Sequence, residues 1–432
     1  MNQATSTNCI FTISDFIQVK EKVLDWANRF NTFCFLDNHQ YQVPPHSVEC
    51  ILAAGVMDSI GAGAGSALEQ VQKFISKDKR WLFGHLGYDL KNEIEDVHSF
   101  HPDQILFPDL FFFQPEIVIR LNEKKLIIEC ETGDAEEIYK TILAGTVPKE
   151  KPVQSSLTIQ NRISKEEYIS IIQKLRRHIL RGDCYEINFC QEFFAEDAEI
   201  DPLTVYKKLA VVSPNPFSAL YKLNDKWLLC ASPERFLKKQ GRKILSQPIK
   251  GTSKRIPGKQ EDDKSRDELL NSAKERSENV MVVDLVRNDL SRVCKEGTVR
   301  VEELYGIYSF PQVHQMISTI SGELKDEISF AEIIRSAFPM GSMTGAPKKK
   351  VLELIGQYEK TKRGIFSGAV GYINPDEDFD FNVVIRSIVY NQTNKYLSFQ
   401  TGSGITFYSE AEKEWEECLL KAEAMKRVLE TK

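Results

Sequence analysis

Apolar and polar residues alternate along this chain in two rhythms, one close to 3.6 residues and one of 2. Residues 14–30 follow the helical rhythm, with Phe16, Ile17, Val23, Leu24 and Phe30 on the side expected to be buried. Strands are expected at 32–36 and 49–57. The GAGAG run at 61–65 reads as a flexible turn, because a dinucleotide fingerprint needs its third glycine where Ser66 stands. Residues 81–95 (WLFGHLGYDLKNEIE) read as a core strand running into a helix. Residues 116–121 and 125–131 read as a hairpin, with a short helix at 135–143.

Beyond position 160 the signals sharpen. Residues 164–181 form a helix: Ser164 and Glu167 supply a capping box, Ile171, Ile172, Leu175 and Ile179 an apolar stripe, and Gly182 the stop. In 184–193, Tyr185, Ile187, Phe189 and Phe193 alternate with Glu186, Asn188, Cys190 and Glu192, which gives a strand one polar face. A second hairpin, 217–223 and 226–232, turns at Asn224 and Asp225. A β-like run at 243–249 leads into Lys250 and a Gly-Thr turn, and 256–263 is a loop whose charges are expected to be solvated. A long helical region continues to about Leu290. Strands are expected at 381–389 and 396–400, then a last helix opened by a second capping box, Ser409 and Glu412. The polar stretch 147–156, with two prolines, is the expected boundary between an N-terminal region, 1–150, and a larger region, 157–430.

Composition narrows the class. With 42% hydrophobic and 27% charged residues over 432 positions, the chain is that of a globular protein able to bury a large core. A formal charge of −6 argues against a nucleic-acid or anionic-membrane binder. No apolar run approaches the roughly 20 residues that span a bilayer. The first residues lack the basic and apolar regions of a signal peptide, so a cytoplasmic location is expected. Nine scattered cysteines without a CxxC pair fit reduced thiols better than disulfides or zinc. His98 and His101 are followed by Pro102, which disfavours a helical metal-ligand pair.

Candidate chemistry gathers in the larger region. Gly251 lets backbone approach a ligand beside Lys250, and a lysine at a rigid strand end keeps its reach; alone, the pattern far more often describes a solvated lysine. Glu234, in SPERF, ends a hairpin strand sixteen residues before Lys250, close enough for a further hairpin to bring both to one cleft. Glu275 and Glu278 share a helix face beside the apolar run 280–286, where an unpaired carboxylate is costly. Glu414, Glu417 and Lys421 share a face of the last helix, although Glu417 and Lys421 are also spaced for an ordinary i,i+4 salt bridge. The loop 341–350 (GSMTGAPKKK) enters a helix at Pro347, and free N–H groups at such an end attract carboxylates. Arg386 offers a planar fork to a carboxylate, and Gly402 and Gly404 offer backbone N–H groups.

These stretches together carry a resemblance. PIKGT (248–252) with Arg255, SPERF (232–236), KERSENVMVVDLVRNDLSR (274–292), GSMTGAPKKK and RGIFSG (363–368) resemble, in order, blocks of the chorismate-utilising enzymes, densely from about Ile163 to Lys426. Segment 81–95 resembles an N-terminal segment of the same family. Lys250 is the form carried by the aminodeoxychorismate synthase branch, where the anthranilate synthase component I branch usually has alanine. The latter branch also tends to carry a Leu-Leu-Glu-Ser element near its N-terminus, which is not found here. Relatives that add water to chorismate carry a lysine base at the position of Glu186, so its acidic side chain argues against an isochorismate or salicylate synthase.

The resemblance implies an α+β fold, two antiparallel sheets packed as a large β-sandwich flanked by helices. It implies Mg²⁺-dependent amination of chorismate by ammonia to 4-amino-4-deoxychorismate, through a covalent bond from Lys250 to C2, with Glu234 protonating the departing C4 hydroxyl. Glu278 and Glu417 would be direct Mg²⁺ ligands, and Glu275 and Glu414 would act through water. Gly251, Thr252, His314, Thr344, Phe366, Arg386, Gly402, Gly404 and Lys421 would contact the substrate, with Phe366 standing where many relatives carry tyrosine. The lysine would need its pKa lowered by burial, by Lys254 or Arg255, or by the metal. No Gly-x-Cys-x-Gly elbow is present, so a separate glutaminase subunit is expected to deliver the ammonia.

Overall fold

The computed structural model describes residues 7–41, 50–145, 157–310 and 313–430. Its strands are apolar on both faces, which requires cover on both sides. In Thr32–Asp37, Phe33 and Phe35 pack beneath helices, while Cys34 and Leu36 face a second sheet. Lys226–Ser232 repeats the alternation, with Trp227, Leu229 and Ala231 on the helix side and Leu228 and Cys230 on the sheet side. The result is four layers: helices, sheet, sheet, helices.

Among the described residues the first sheet has twelve strands and the second ten, counting Gln160–Asn161, which pairs with Glu186–Ala195 off the main order, and Arg300–Ser309, which pairs likewise with Val313–Glu323. The first runs in the order Thr7–Thr12, Lys125–Cys130, Ile117–Leu121, Cys50–Ala54, Thr32–Asp37, Phe217–Leu223, Lys226–Ser232, Ser387–Asn391, Tyr396–Ile405, Glu186–Ala195 and Gly345–Ala346. The second runs Ile249–Lys254, Val313–Glu323, Lys243–Gln247, Arg235–Gln240, Phe379–Val383, Ala369–Ile373, Leu82–Leu86, Leu110–Gln114 and Asp58–Ala62. The N-terminal part enters both: Thr32–Asp37 pairs with Phe217–Leu223, and Leu82–Leu86 with Ala369–Ile373. The boundary expected at 147–156 lies outside the described residues.

The expected fold class holds, and so do both hairpins. Several local readings differ. Ile17 is exposed, because Val19, Trp26 and Ala27 complete the buried face of Phe16–Ala27 instead. The run 243–249 breaks at Pro248 into two strands that both pair with Val313–Glu323. The loop 256–263 gives way at Lys259 to the helix Lys259–Asn271, and Asp262 accepts hydrogen bonds rather than facing water alone. The helical region is interrupted at Ser272, whose side chain accepts from Glu275 N and caps Ala273–Val293. Pro347 is the N-cap of Lys348–Tyr358 rather than its first helical residue. Ser409 does not cap the last helix: its hydroxyl accepts from Thr406 N, and Ala411–Leu429 begins after Glu410. The run 381–389 divides at Arg386, where φ is +54° and the chain passes from the second sheet to the first. The strand expected at 396–400 continues to Ile405 and takes in Gly402 and Gly404.

Candidate active site

A cavity of about 640 Å³ opens where Tyr396–Ile405 of the first sheet approaches Ile249–Lys254 of the second, with Ala273–Val293 and Ala411–Leu429 alongside. Lys250, Gly251, Thr252, Glu234, Glu275, Glu278, Phe366, Arg386, Gly402, Gly404, Glu417 and Lys421 all line it.

Lys250 is 9% exposed, and its Nζ donates to Glu186 Oε1 at 2.5 Å. Burial alone would lower its pKa, but Glu186 and then Glu278 reverse this and hold the amine above the ordinary lysine range. The lowering expected from Lys254 or Arg255 is not found. Lys254 is exposed, and Arg255 pairs with Asp262 at 2.8 Å. Gly404 makes room for the ion pair: a Cβ there would lie 2.8 Å from Glu186 Oε1 and 3.0 Å from Lys250 Nζ.

Glu234 reaches the cavity through the hairpin of Arg235–Gln240 and Lys243–Gln247, which sets Arg235 opposite Gln247. Arg235 braces that end by donating to Asp380 at 2.9 and 3.0 Å and to Gln247 Oε1 at 2.6 Å. Ser342 Oγ donates to Glu234 Oε1 at 2.6 Å, yet burial pushes the carboxyl up to about 7.

Two helices present the acidic groups. Glu278 is 7% and Glu414 2% exposed. Burial pushes Glu278 up to about 8, opposed by Lys250 and reinforced by Glu186 and Glu275. Burial pushes Glu275 up as well. Glu417 is held down at about 2 by Lys421, its partner at 2.6 Å. Glu186 Oε2, Glu278 Oε1 and Glu414 Oε2 are buried without a hydrogen-bond partner. Among the described residues no group of three or more His, Cys, Asp and Glu side chains forms a ready-made metal cluster. An all-carboxylate donor set with unpartnered oxygens nevertheless suits a hard cation that keeps waters and takes part of its shell from a ligand.

Arg386 makes no side-chain hydrogen bond or ion pair among the described residues, and burial lowers its pKa. A half-buried guanidinium so placed suits a planar anion. Lys421 Nζ donates to Gly402 O at 2.8 Å. At Gly402 a Cβ would meet Cys190 Sγ at 2.4 Å, so only glycine fits there.

Two expected substrate contacts are not brought to the cavity. The His314 ring is occupied on both sides, by Ser309 Oγ at 2.8 Å and Asp262 Oδ1 at 3.1 Å. Thr344 is fully buried and donates to Met340 O at 3.1 Å. Glu414 lies behind the lining rather than on it. Sequence reasoning passed over Glu186, Lys274 and Ser342 as members of the site. The polar face of Glu186–Ala195 was a signal for the first, i,i+4 spacing from Glu278 for the second, and for Ser342 only its place in the GSMTGAPKKK block.

The profile of the chorismate binding enzyme family matches residues 46–427. Aminodeoxychorismate synthase component 1 of Bacillus subtilis is 32% identical over 361 residues, 80% of this chain and 76% of that protein. Anthranilate synthase component 1 of Aquifex aeolicus is 32% identical over 388 residues, covering 84% and 78%. The crystal structure of anthranilate synthase component I from Streptococcus pneumoniae superposes with a TM-score of 0.77 at 26% identity, over 89% of this chain and 94% of that one.

Proposed function

This chain belongs to the chorismate-binding enzymes, and we propose that it is a chorismate-aminating member, joining ammonia to C4 to give 4-amino-4-deoxychorismate. The observation that carries the reading is the shared cavity: an amine on a strand end and a carboxylic acid face the same space as two acidic helices and an uncommitted arginine. Chorismate is a small dianion, and Arg386 with the glycine-edged strand suits one of its carboxylates. Glu278 and Glu417, with Glu275 and Glu414 behind them, are the residues that would hold Mg²⁺ near the other. Bound there, Mg²⁺ would neutralise the ring carboxylate and draw electron density from the ring.

Lys250 must lose a proton before it can attack, and Glu186, 2.5 Å from Nζ, is the acceptor within reach. The neutral amine then bonds to C2 while the C4 hydroxyl departs as water with the proton of Glu234. Ammonia adds at C4 as the Lys250–C2 bond breaks. Glu234 takes the excess proton from the new amine, and Glu186 returns one to Lys250. The enolpyruvyl group stays in place throughout. The sum is chorismate plus ammonia to amino product plus water. The product is a step toward para-aminobenzoate and folate.

Relatives named component 1 imply a second component, so the ammonia source is a separate glutaminase subunit, for which free ammonium substitutes in vitro. A cytoplasmic setting suits that pairing, and among the described residues no helix is long and apolar enough to cross a membrane. Incubation with chorismate, Mg²⁺ and ammonium, followed by product analysis, tests the reading. Anthranilate with released pyruvate would assign the neighbouring activity, and unchanged chorismate would remove the enzyme reading. Lys250→Ala is expected to slow amination by orders of magnitude or to change its product. An unchanged rate and product would eliminate the covalent step.

A further inference from the structure

The cation that does lie among these carboxylates is the chain's own. Lys274 stands in the first turn of Ala273–Val293, one turn before Glu278. Its Nζ is 3.5 Å from Glu414 Oε1 on the facing helix and 3.8 Å from Glu278 Oε1 on its own. Both separations suit charge attraction but are too long for good hydrogen bonds. The ammonium therefore lies against two buried carboxyl groups at once, yet leaves Glu278 Oε1 and Glu414 Oε2 without hydrogen-bond partners. Burial would lower the pKa of this amine, but Glu414 and Glu278, and then Glu417 and Glu275, hold it above the ordinary lysine range.

A second feature is the way out. The Lys274 side chain is 37% exposed and lines the cavity, whereas the two carboxylates it bridges are almost wholly buried. A lysine stem is long and flexible, and its ammonium is readily hydrated, so it can leave toward solvent while the carboxylates cannot.

We propose that Lys274 is a tethered counter-ion: it neutralises the acidic pair in the metal-free enzyme and is exchanged for a divalent cation when one binds. This rests on the reading of the acidic helices as an Mg²⁺ site. It explains how two buried carboxyl groups stay apposed without metal, since the ammonium stands 3.8 Å from one and 3.5 Å from the other. Metal entry then raises the local charge by one unit, a tethered monovalent cation leaving as a divalent one arrives. It also sets affinity, because a tethered competitor acts at high effective concentration.

The test uses Mg²⁺ or Mn²⁺ alone, without chorismate, and reads binding by calorimetry and melting temperature after chelation. Lys274→Met is expected to melt earlier than the parent when metal-free, to bind the ion roughly tenfold or more tightly, and to recover its melting temperature on binding. Lys274→Arg keeps the charge, so it should keep the metal-free melting temperature and bind no more tightly than the parent. If Lys274→Met does not survive chelation, the double variant Lys274→Met/Glu414→Gln removes one anion with the cation and should regain stability. Failure of the double variant to do so would count against the exchange. Equal or weaker ion binding by Lys274→Met, or an unchanged metal-free melting temperature, would overturn the proposal while leaving the metal site standing. If neither ion binds the parent or any variant, the metal reading itself falls.

Discussion

The groups around Lys250 divide the proton traffic between them. Lys250 rests as an ammonium 2.5 Å from Glu186, and the proposed attack waits until that proton is handed over. Glu234 is the opposite case, a carboxyl that burial keeps protonated up to about pH 7 although Ser342 donates to it. A neutral acid poised there can donate to a departing hydroxyl at physiological pH. The proton is present below about 7 and lost above it, so turnover at a fixed concentration of free ammonia should fall as pH rises through that value. Glu234→Gln is expected to lower kcat by roughly 10²–10⁴ and to abolish that limb. A full-rate Glu234→Gln enzyme, or one keeping the same limb, would show that the proton comes from elsewhere.

At the scale of elements, the site depends on where helices begin and where strands turn over. Ser272 ends one helix and caps the next, and that cap fixes the first turn carrying Lys274 and Glu275. Ser272→Ala should cost about 1 kcal/mol in urea unfolding; no loss would mean that packing alone sets the start of this helix. Helix periodicity and the motif blocks made the amphipathic helices and hairpins legible, together with Lys250, Glu234 and the acidic pairs. The interruption at Ser272 did leave a signal, since Ser272 and Glu275 have the capping-box spacing of Ser164 and Glu167, but the helical pattern running through both segments outweighed it. The cap expected at Ser409 failed because Thr406 N had already claimed that hydroxyl. His314 stands off the cavity for a reason of period 2. Its neighbours Val313 and Gln315 line the cavity, and alternation turns the ring between them to the other face. A motif locates a residue on a strand but does not say which face it takes.

In the whole molecule, the distance that matters most is the one between the sheets. Glu186 belongs to the first sheet and Lys250 to the second, so their ion pair forms only when the two pack face to face. No local pattern announces that pairing, since the residues lie 64 positions apart. The sandwich is held by a shared apolar layer including Phe83, Phe113, Val370, Leu228 and Val389, and polar contacts cross it as well, among them Asn382 Nδ2 to Phe217 O at 2.7 Å. His85 Nδ1 meets Tyr221 Oη at 3.2 Å across the sheets, and its Nε2 meets Pro108 O at 2.8 Å. Burial lowers the imidazole to about 4 against an ordinary 6.5, with the Pro108 carbonyl opposing. The folded state therefore binds fewer protons than the unfolded chain between those values. The stabilising contribution is complete above pH 6.5 and is lost as pH falls toward about 4, on the order of 3 kcal/mol in all. His85→Gln keeps polar atoms for both neighbours but does not titrate, so its unfolding free energy should depend less steeply on pH across this window than the parent's. Parallel pH profiles for the two proteins would mean that acid loosens the sheets through some other group.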